Sequence, residues 1–268
     1  MGTLLGLLGP GVVARAAGDD GAGRRAEVQI NLCSEPGEII QALALEPAAG
    51  GPTEAWYFDN AGLDLSGQGL VVRLRRKAGE SELTLKAADQ DCTRVPPSSI
   101  PRGEGKCEYD LHGTSLKGAV SLSRSLTDEQ VQELLAGRHA LTQALSPTQI
   151  AYLREVVHAW PLASGLQRLG PVRTVSYRSP GRRFVVEVWH LPSGGRFIEL
   201  SQKTSFQDAL RLSSVLADTL ARTGVQPCDD QASRARAKLE ALLPAGTSAK
   251  RAARERPGAG INAEPLTD

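Results

Sequence analysis

Basic and acidic side chains recur at every second position in several segments of this chain. The basic set is Arg73, Arg75, Lys86 and Lys203, and the acidic set is Glu27, Glu187 and Glu199. A guanidinium group binds phosphate oxygens through two parallel hydrogen bonds, and an ammonium group adds a point charge. Carboxylates hold hard divalent cations, which bridge phosphates. The two sets predict a site for a phosphate-rich anion and a cation, provided that the fold gathers them on one surface.

The elements that carry these residues are predicted to be β-strands, because charged and apolar residues alternate with a period of two. The alternating segments are 27–32, 70–77, 82–86, 106–111 and 196–203, and segment 184–190 is rich in strand-forming residues. For any single strand, a sheet with one solvated face is the simpler explanation. Closing the sheet with its charged face inward would instead concentrate both sets in one cavity. Hairpin turns are predicted at Ala78-Gly79 and at Ser193-Gly194-Gly195.

Three helices are predicted beside these strands. Thr127 suits the cap of a helix over 127–137, and Ser146-Pro147 opens a helix over 147–160. The third helix, over 205–223, ends at Gly224.

The chain is predicted to form one folded domain with loose ends. Residues 26–240 carry the periodic patterns and form that domain. Residues 1–25 are predicted to be a flexible leader, or a signal segment because 3–13 form a short apolar run. Residues 241–268, which lack apolar periodicity, are predicted to be a disordered tail. No apolar stretch is long enough to predict a membrane span.

In their order and spacing, the polar segments resemble the CYTH superfamily, the triphosphate tunnel metalloenzymes. The family shows E-x-E-x-K, a Tyr-Phe-Asp stretch before an L-R-x-R strand, T-x-K, P-V before a basic strand, E-x-E and a closing Ser-Lys. The corresponding segments are EVQIN (27–31), WYFDNAGLDLSGQGLVVRLRR (56–76), ELTLK (82–86), GPVRTVSYR (170–178), FIELS (197–201) and Ser233-Arg234-Ala235.

The resemblance implies an α+β fold, namely an antiparallel eight-stranded β-barrel that forms a tunnel, with helices packed outside. It also implies a triphosphate or polyphosphate anion as the bound partner. Family members hydrolyse inorganic or thiamine triphosphate, cyclise ATP or remove the RNA 5′ γ-phosphate, usually with Mg²⁺ or Mn²⁺. By position, the phosphate-binding residues would be Arg73, Arg75, Lys86 and Arg178, with Lys203 on the same charged face. Glu27 and Glu199 would be the catalytic metal ligands, and Glu187 a third ligand.

Three positions depart from the family pattern. Gln29 and Asn31 stand for the second Glu and the Lys of E-x-E-x-K, and Ser201 stands for the second Glu of E-x-E. Two carboxylates and one positive charge are thereby lost. Because Mg²⁺ and Mn²⁺ prefer charged oxygen ligands, we expect weak metal binding and low or absent turnover, while phosphate binding is retained.

Composition and the remaining motifs argue against other chemistries. The net charge is +1 and aromatic residues make up 4% of the 268 residues, so nucleic acid is not an expected partner. The scattered residues His112, His139, His158 and His190 are predicted to be surface or loop residues rather than zinc ligands. Neither G-x-x-x-x-G-K nor G-x-S-x-G occurs, which argues against a P-loop and a hydrolase nucleophile elbow.

The cysteines bear on the compartment. Cys33, Cys92, Cys107 and Cys228 form no C-x-x-C pair, so a zinc site of that kind is not predicted. The favoured prediction is free thiols in a cytoplasmic protein. The alternative is an exported protein in which Cys92 and Cys107, which flank the Pro-rich stretch 93–105, form a disulfide.

Three functions follow from these patterns. The first is a metal-dependent phosphohydrolase acting on inorganic triphosphate or an organic triphosphate. The second is a catalytically weakened or inactive module that binds polyphosphate, which Gln29 and Ser201 favour. The third is a structural or interaction domain that kept the barrel and lost its ligand, and the retained basic residues count against it.

Overall fold

A barrel of β-strands with helices on its outside forms the protein. The computed structural model describes residues 24–244 except 96–99, 102, 180, 182–183, 230 and 232–233. The strands are β1 (Arg25–Leu32), β2 (Glu46–Pro47), β3 (Thr53–Asp59), β4 (Leu70–Lys77), β5 (Glu80–Ala87), β6 (Gly105–His112), β7 (Ser115–Leu126), β8 (Gln167–Arg178), β9 (Val185–His190) and β10 (Arg196–Ser205). The helices are α1 (Pro36–Ala42), α2 (Asp64–Gly67), α3 (Asp128–Leu135), α4 (Leu141–Ala144), α5 (Pro147–Glu155), α6 (Ala209–Thr223) and α7 (Arg234–Glu240). The predicted α+β class is confirmed.

Nine strands close the barrel in the order β8-β3-β4-β5-β7-β6-β1-β10-β9, and β9 pairs back onto β8. The short strand β2 pairs only with β8. β1 and β6 are parallel, and the other neighbours in the barrel are antiparallel. The prediction of eight antiparallel strands is therefore wrong in number and in one pairing. The sequence pattern passes over β7 because its inward face is mostly serine and lacks the alternating charges of its neighbours.

The predicted turn at Ala78-Gly79 is confirmed and fixes the register of β4 against β5. Lys77 pairs with Glu80, and the two residues between them have φ of 49° and 84°. Two successive positive φ values give a hairpin turn whose twist matches that of the strands. This register places Arg73 opposite Thr84.

The outer face of the barrel is apolar, and helices cover it in two places. Helices α3, α4 and α5 pack over β3, β4, β5 and β7, burying Leu74, Leu83 and Leu153. Helices α1 and α6 pack over β1, β9 and β10, burying Leu200 and Leu216. Burial of aliphatic side chains on the outside leaves the alternate, polar residues of each strand to face inward.

The three predicted helices are present as α3, α5 and α6, each shorter than predicted. Thr127 caps α3: its Oγ1 accepts from Gln130 N at 3.3 Å, and Gln130 Oε1 accepts from Thr127 N at 3.0 Å. Ser146 and Gln149 form the same reciprocal pair at the start of α5. Gly224, with φ of 73°, ends α6.

All four cysteines are in disulfides, Cys33–Cys228 and Cys92–Cys107. The free-thiol prediction is therefore wrong, and the alternative pairing of Cys92 with Cys107 is confirmed. Disulfides persist in oxidising compartments. The cytoplasmic and exported locations both stay predictions.

The predicted leader and tail lie almost wholly outside the described residues. Of the predicted tail only 241–244 are described, and there Leu242 and Leu243 pack against the barrel. Within the described ranges, no helix combines the length and the apolar character needed to cross a membrane.

Loss of the Cys33–Cys228 disulfide should cost more stability than loss of Cys92–Cys107. The two bonds span 195 and 15 residues, and chain entropy assigns about 5 and about 3 kcal/mol to loops of these lengths. We expect C33S/C228S to unfold at lower urea concentration than C92S/C107S, as measured by circular dichroism without reductant. Equal urea midpoints for the two double mutants would contradict the larger stabilisation assigned to Cys33–Cys228.

Candidate anion-binding tunnel

Polar and charged side chains line the inside of the barrel, which we call the tunnel. They are the residues that alternate with the outer core on each strand. The inward positions carry Glu27, Gln29, Asn31, Arg73, Arg75, Lys86, Lys106, Glu108, Asp110, His112, Arg178, Glu187, Glu199, Ser201 and Lys203. Every residue predicted from the sequence to bind phosphate or metal therefore faces the tunnel.

Three of the predicted phosphate-binding residues differ in their surroundings. Arg73 is half-buried, and its Nε is buried without a hydrogen-bond partner among the described residues. Lys86 donates to Asp110 Oδ2 across the tunnel wall. Arg75 is exposed and donates to Glu82 Oε1 at 3.2 Å. Arg73 is thus a half-buried cation, and no carboxylate in the described ranges forms an ion pair with it.

The other two, Arg178 and Lys203, are exposed. Lys203 Nζ lies 3.9 Å from Glu108 Oε2, and Lys106 Nζ lies 2.5 Å from the same oxygen. Arg178 is at the end of β8, opposite Val185. Cations and carboxylates are therefore mixed in this part of the tunnel, since Glu108 accompanies the two lysines and Glu27 is opposite Lys203.

The three predicted metal ligands do not come together. Glu199 and Glu187 are register partners on β10 and β9. Glu27 is opposite Lys203, four residues along β10 from Glu199, which corresponds to about 13 Å at the rise of a strand. Among the described residues, no three His, Cys, Asp or Glu side chains are grouped as a metal site would require.

Glu199 already has a cation beside it, namely Lys238 of helix α7. Lys238 Nζ donates to Glu199 Oε2 at 2.6 Å, and the two side chains are only 9% and 15% exposed. The same ammonium lies 4.4 Å from the centroid of the Trp189 ring, which is within the range of a cation–π contact. This pair occupies the place where the sequence predicted a metal ion.

Helix α7 fills one end of the tunnel. Leu239, Leu242 and Leu243 pack in a cluster with Tyr57 and Trp189, which project inward from β3 and β9. Tyr57 and Trp189 stack with their centroids 6.3 Å apart. Apolar residues of α7 and of the turn after it therefore close this end, and Lys238 brings an ammonium group to the interior.

The segment before α7 is fastened to the end of β1. Cys228 N donates to Asn31 O at 2.9 Å, next to the Cys33–Cys228 disulfide. Gln231 Oε1 accepts from Asn31 N at 2.7 Å, and Gln231 Nε2 donates to Asn31 O at 3.0 Å. These bonds hold the chain at the tunnel end from which α7 begins.

The buried groups near this end have shifted pKa values. Burial alone would raise the pKa of Glu199, but the charge and the hydrogen bond of Lys238 hold the pKa below its ordinary value. Burial lowers the pKa of His112, against the opposing charges of Glu199 and Asp110. Burial raises the pKa of Tyr57, although Arg73 partly offsets this. At neutral pH Glu199 is therefore ionised, and His112 and Tyr57 are neutral.

The sequence-based prediction misplaced His112 and missed Lys238. His112 was predicted to lie on the surface or in a loop, but it ends β6 facing the tunnel. Its Nδ1 is buried, with no hydrogen-bond partner in the part of the chain that the structure describes. The polar alternation of segment 106–111, extended by one residue, would have placed it there. Lys238 was assigned no role, although the segment AKLEALL (237–243) has the apolar spacing of a short amphipathic helix. Ser233 of the predicted Ser-Lys element lies outside the described residues.

The barrel resembles solved structures, whereas no family model and no curated protein matches the chain. A candidate adenylyl cyclase from Hippeastrum, HpAC1, described as having a dominant triphosphatase activity, is 16% identical over 81% of this chain and 97% of its own, with a TM-score of 0.53. A candidate adenylate cyclase from Bacillus halodurans is 14% identical over 80% of this chain and 96% of its own, with a TM-score of 0.51. These likenesses show that this chain shares the fold of those two structures.

The Glu199–Lys238 pair should make the free energy of unfolding depend on pH. A carboxyl group whose pKa is lower in the folded protein stabilises it above its unfolded pKa, near 4.5, and this contribution is lost as the pH falls through the folded pKa. We expect Glu199→Gln to be less stable at pH 7 and to lose less stability than the wild type below pH 4.5, as measured by urea unfolding from pH 3 to pH 7. Glu80→Gln, at an exposed strand end, is the control. An unchanged acid dependence in Glu199→Gln would contradict the pairing.

Proposed function

We propose that the tunnel binds a linear triphosphate group, as inorganic triphosphate, as polyphosphate or as the triphosphate end of an organic molecule. The observation that carries this proposal is the state of Arg73. Its guanidinium group faces the tunnel half-buried, with Nε buried and unpartnered and with no ion pair among the described residues. A buried donor without a partner is costly, and a phosphate oxygen would satisfy it with favourable geometry.

The distribution of the other cations supports the same ligand. Lys86 lies two strand positions from Arg73 on the neighbouring strand, and Lys203 and Arg178 lie towards the open end. A triphosphate carries several negative charges along a line, so it can contact deep and shallow cations at once. The open-end cations also raise the local concentration of anions at the entrance.

The residues present do not fit the Mg²⁺ or Mn²⁺ site implied by the resemblance. Glu27 is separated from Glu199 and Glu187, and Glu199 is bound to Lys238. Gln29 and Ser201 add no charge to the same wall. Among the functions predicted from the sequence, binding without efficient turnover is therefore the one that these residues favour. Hydrolysis is the second candidate, supported by the description of HpAC1 as a triphosphatase.

Arg73→Gln should weaken binding of tripolyphosphate by about 10- to 100-fold, since a charge-assisted hydrogen bond contributes about 1.5–3 kcal/mol. The measurement is calorimetric titration, together with the rise in melting temperature that any ligand of the native state produces. Arg76→Gln is the matched control, because Arg76 is the same residue type on the outer face of the same strand, paired with Glu54 over Trp56. It should bind like the wild type.

Phosphate release assayed in the same samples distinguishes the two candidate functions. Binding without release supports the binding function, and release that is lost in Arg73→Gln supports the hydrolase. If Arg73→Gln and Arg76→Gln bind tripolyphosphate equally well, the tunnel is not the site.

A further inference from the structure

We infer that Lys238 is a built-in cation that takes the place of a divalent metal ion at Glu199, so that the tunnel binds triphosphate without metal. This inference rests on the proposed function and adds to it the source of the positive charge at the closed end. It assigns Lys238 a role in ligand binding.

The first step is the geometry of the ion pair. Lys238 Nζ is 2.6 Å from Glu199 Oε2 and both side chains are largely buried. A carboxylate in such a position would repel an incoming phosphate unless a cation neutralised it. In this chain the ammonium supplies that neutralisation before any ligand arrives.

The second step is the composition of the surrounding wall. Asn31 is the register partner of Glu199, and Ser201 is the partner of Gln29. These three neutral side chains leave Glu187 as the carboxylate next to Glu199 in strand register. A divalent metal ion at Glu199 would have few charged ligands and would be repelled by the ammonium of Lys238. The single positive charge of Lys238 is instead balanced by Glu199.

The third step is that Lys238 is held in place from both sides. After it, Leu239, Leu242 and Leu243 are packed in the apolar cluster at the tunnel end. Before it, Cys228 and Gln231 fasten the chain to Asn31. Because Lys238 is already fixed in the free protein, no cation has to be recruited from solution when the ligand binds. The entropic cost of immobilising this cation therefore does not reduce the affinity for the ligand.

The fourth step is the capacity of Lys238 to contact a ligand. An ammonium group has three N–H donors, and Glu199 takes one of them. Among the described residues no second acceptor is recorded for Nζ, so the remaining donors could contact phosphate oxygens that enter from the open end. Lys238 and Arg73 also lie near the same aromatic pair, since Lys238 covers Trp189 and Arg73 is the register partner of Tyr57.

The test is calorimetric titration of the full chain with tripolyphosphate, first with EDTA and then with Mn²⁺ in place of EDTA. The wild type should bind in EDTA. Lys238→Met, which keeps the apolar stem over Trp189, should bind at least tenfold more weakly in EDTA. Glu199→Gln should bind in EDTA as tightly as the wild type or more tightly, because its Lys238 is free to contact phosphate. Melting curves establish that each variant is folded, and Arg76→Gln controls for the loss of one cation.

The outcomes separate this inference from the function on which it rests. If the wild type binds tripolyphosphate only with Mn²⁺, a metal ion is required for binding, and if Glu199→Gln binds more weakly than the wild type in EDTA, its Lys238 does not act as the inference states. Either outcome overturns the inference while the proposed function stands. If Lys238→Met is folded and binds in EDTA like the wild type, the assigned role of Lys238 is likewise overturned. If the wild type binds under neither condition, the proposed function itself fails.

Discussion

Closure of the sheet by the pairing of β8 with β9 is the constraint on which the rest of the structure depends. Closure gives every strand an inside and an outside, and helices cover much of the aliphatic outside. The inside then receives the alternate residues, which are charged. Charges brought together in a partly dry interior must be paired or must bind a ligand. Lys86 is paired with Asp110, whereas Arg73 has no ion pair among the described residues.

Much of the wall could be predicted from the sequence, because a strand with one charged face has a local signature. The segments that form β4, β5 and β10 show it, and their charged residues face the tunnel. β7 shows no such signature, since serine fills most of its inward positions. The number of strands depends on β7. The parallel contact of β1 with β6 depends on it too, because β6 lies between β7 and β1 in the barrel. Neither feature can be predicted from a single segment.

The content of the site was less predictable than its wall. The loss of carboxylates at Gln29 and Ser201 is visible in the sequence, but the cation that compensates for it is not. Lys238 is 39 residues from Glu199 along the chain and belongs to a helix of only seven residues. Its role depends on where the barrel end lies and on a disulfide that joins residues 195 positions apart. Such contacts arise only in the tertiary structure. A prediction from local sequence patterns therefore identifies Glu199 but misses Lys238.

The Cys33–Cys228 bond also sets how the protein would respond to mechanical force. It lies after β1 and before α7, so the bulk of the barrel, residues 34–227, sits inside a covalent loop. A pull on the two ends of the described chain travels through β1, the disulfide and α7, and bypasses that loop. Only the residues outside it can be drawn out, at about 3.3–3.6 Å each. Under tension α7 and β1 would unfold, while most of the barrel wall would carry no load until the disulfide was cut.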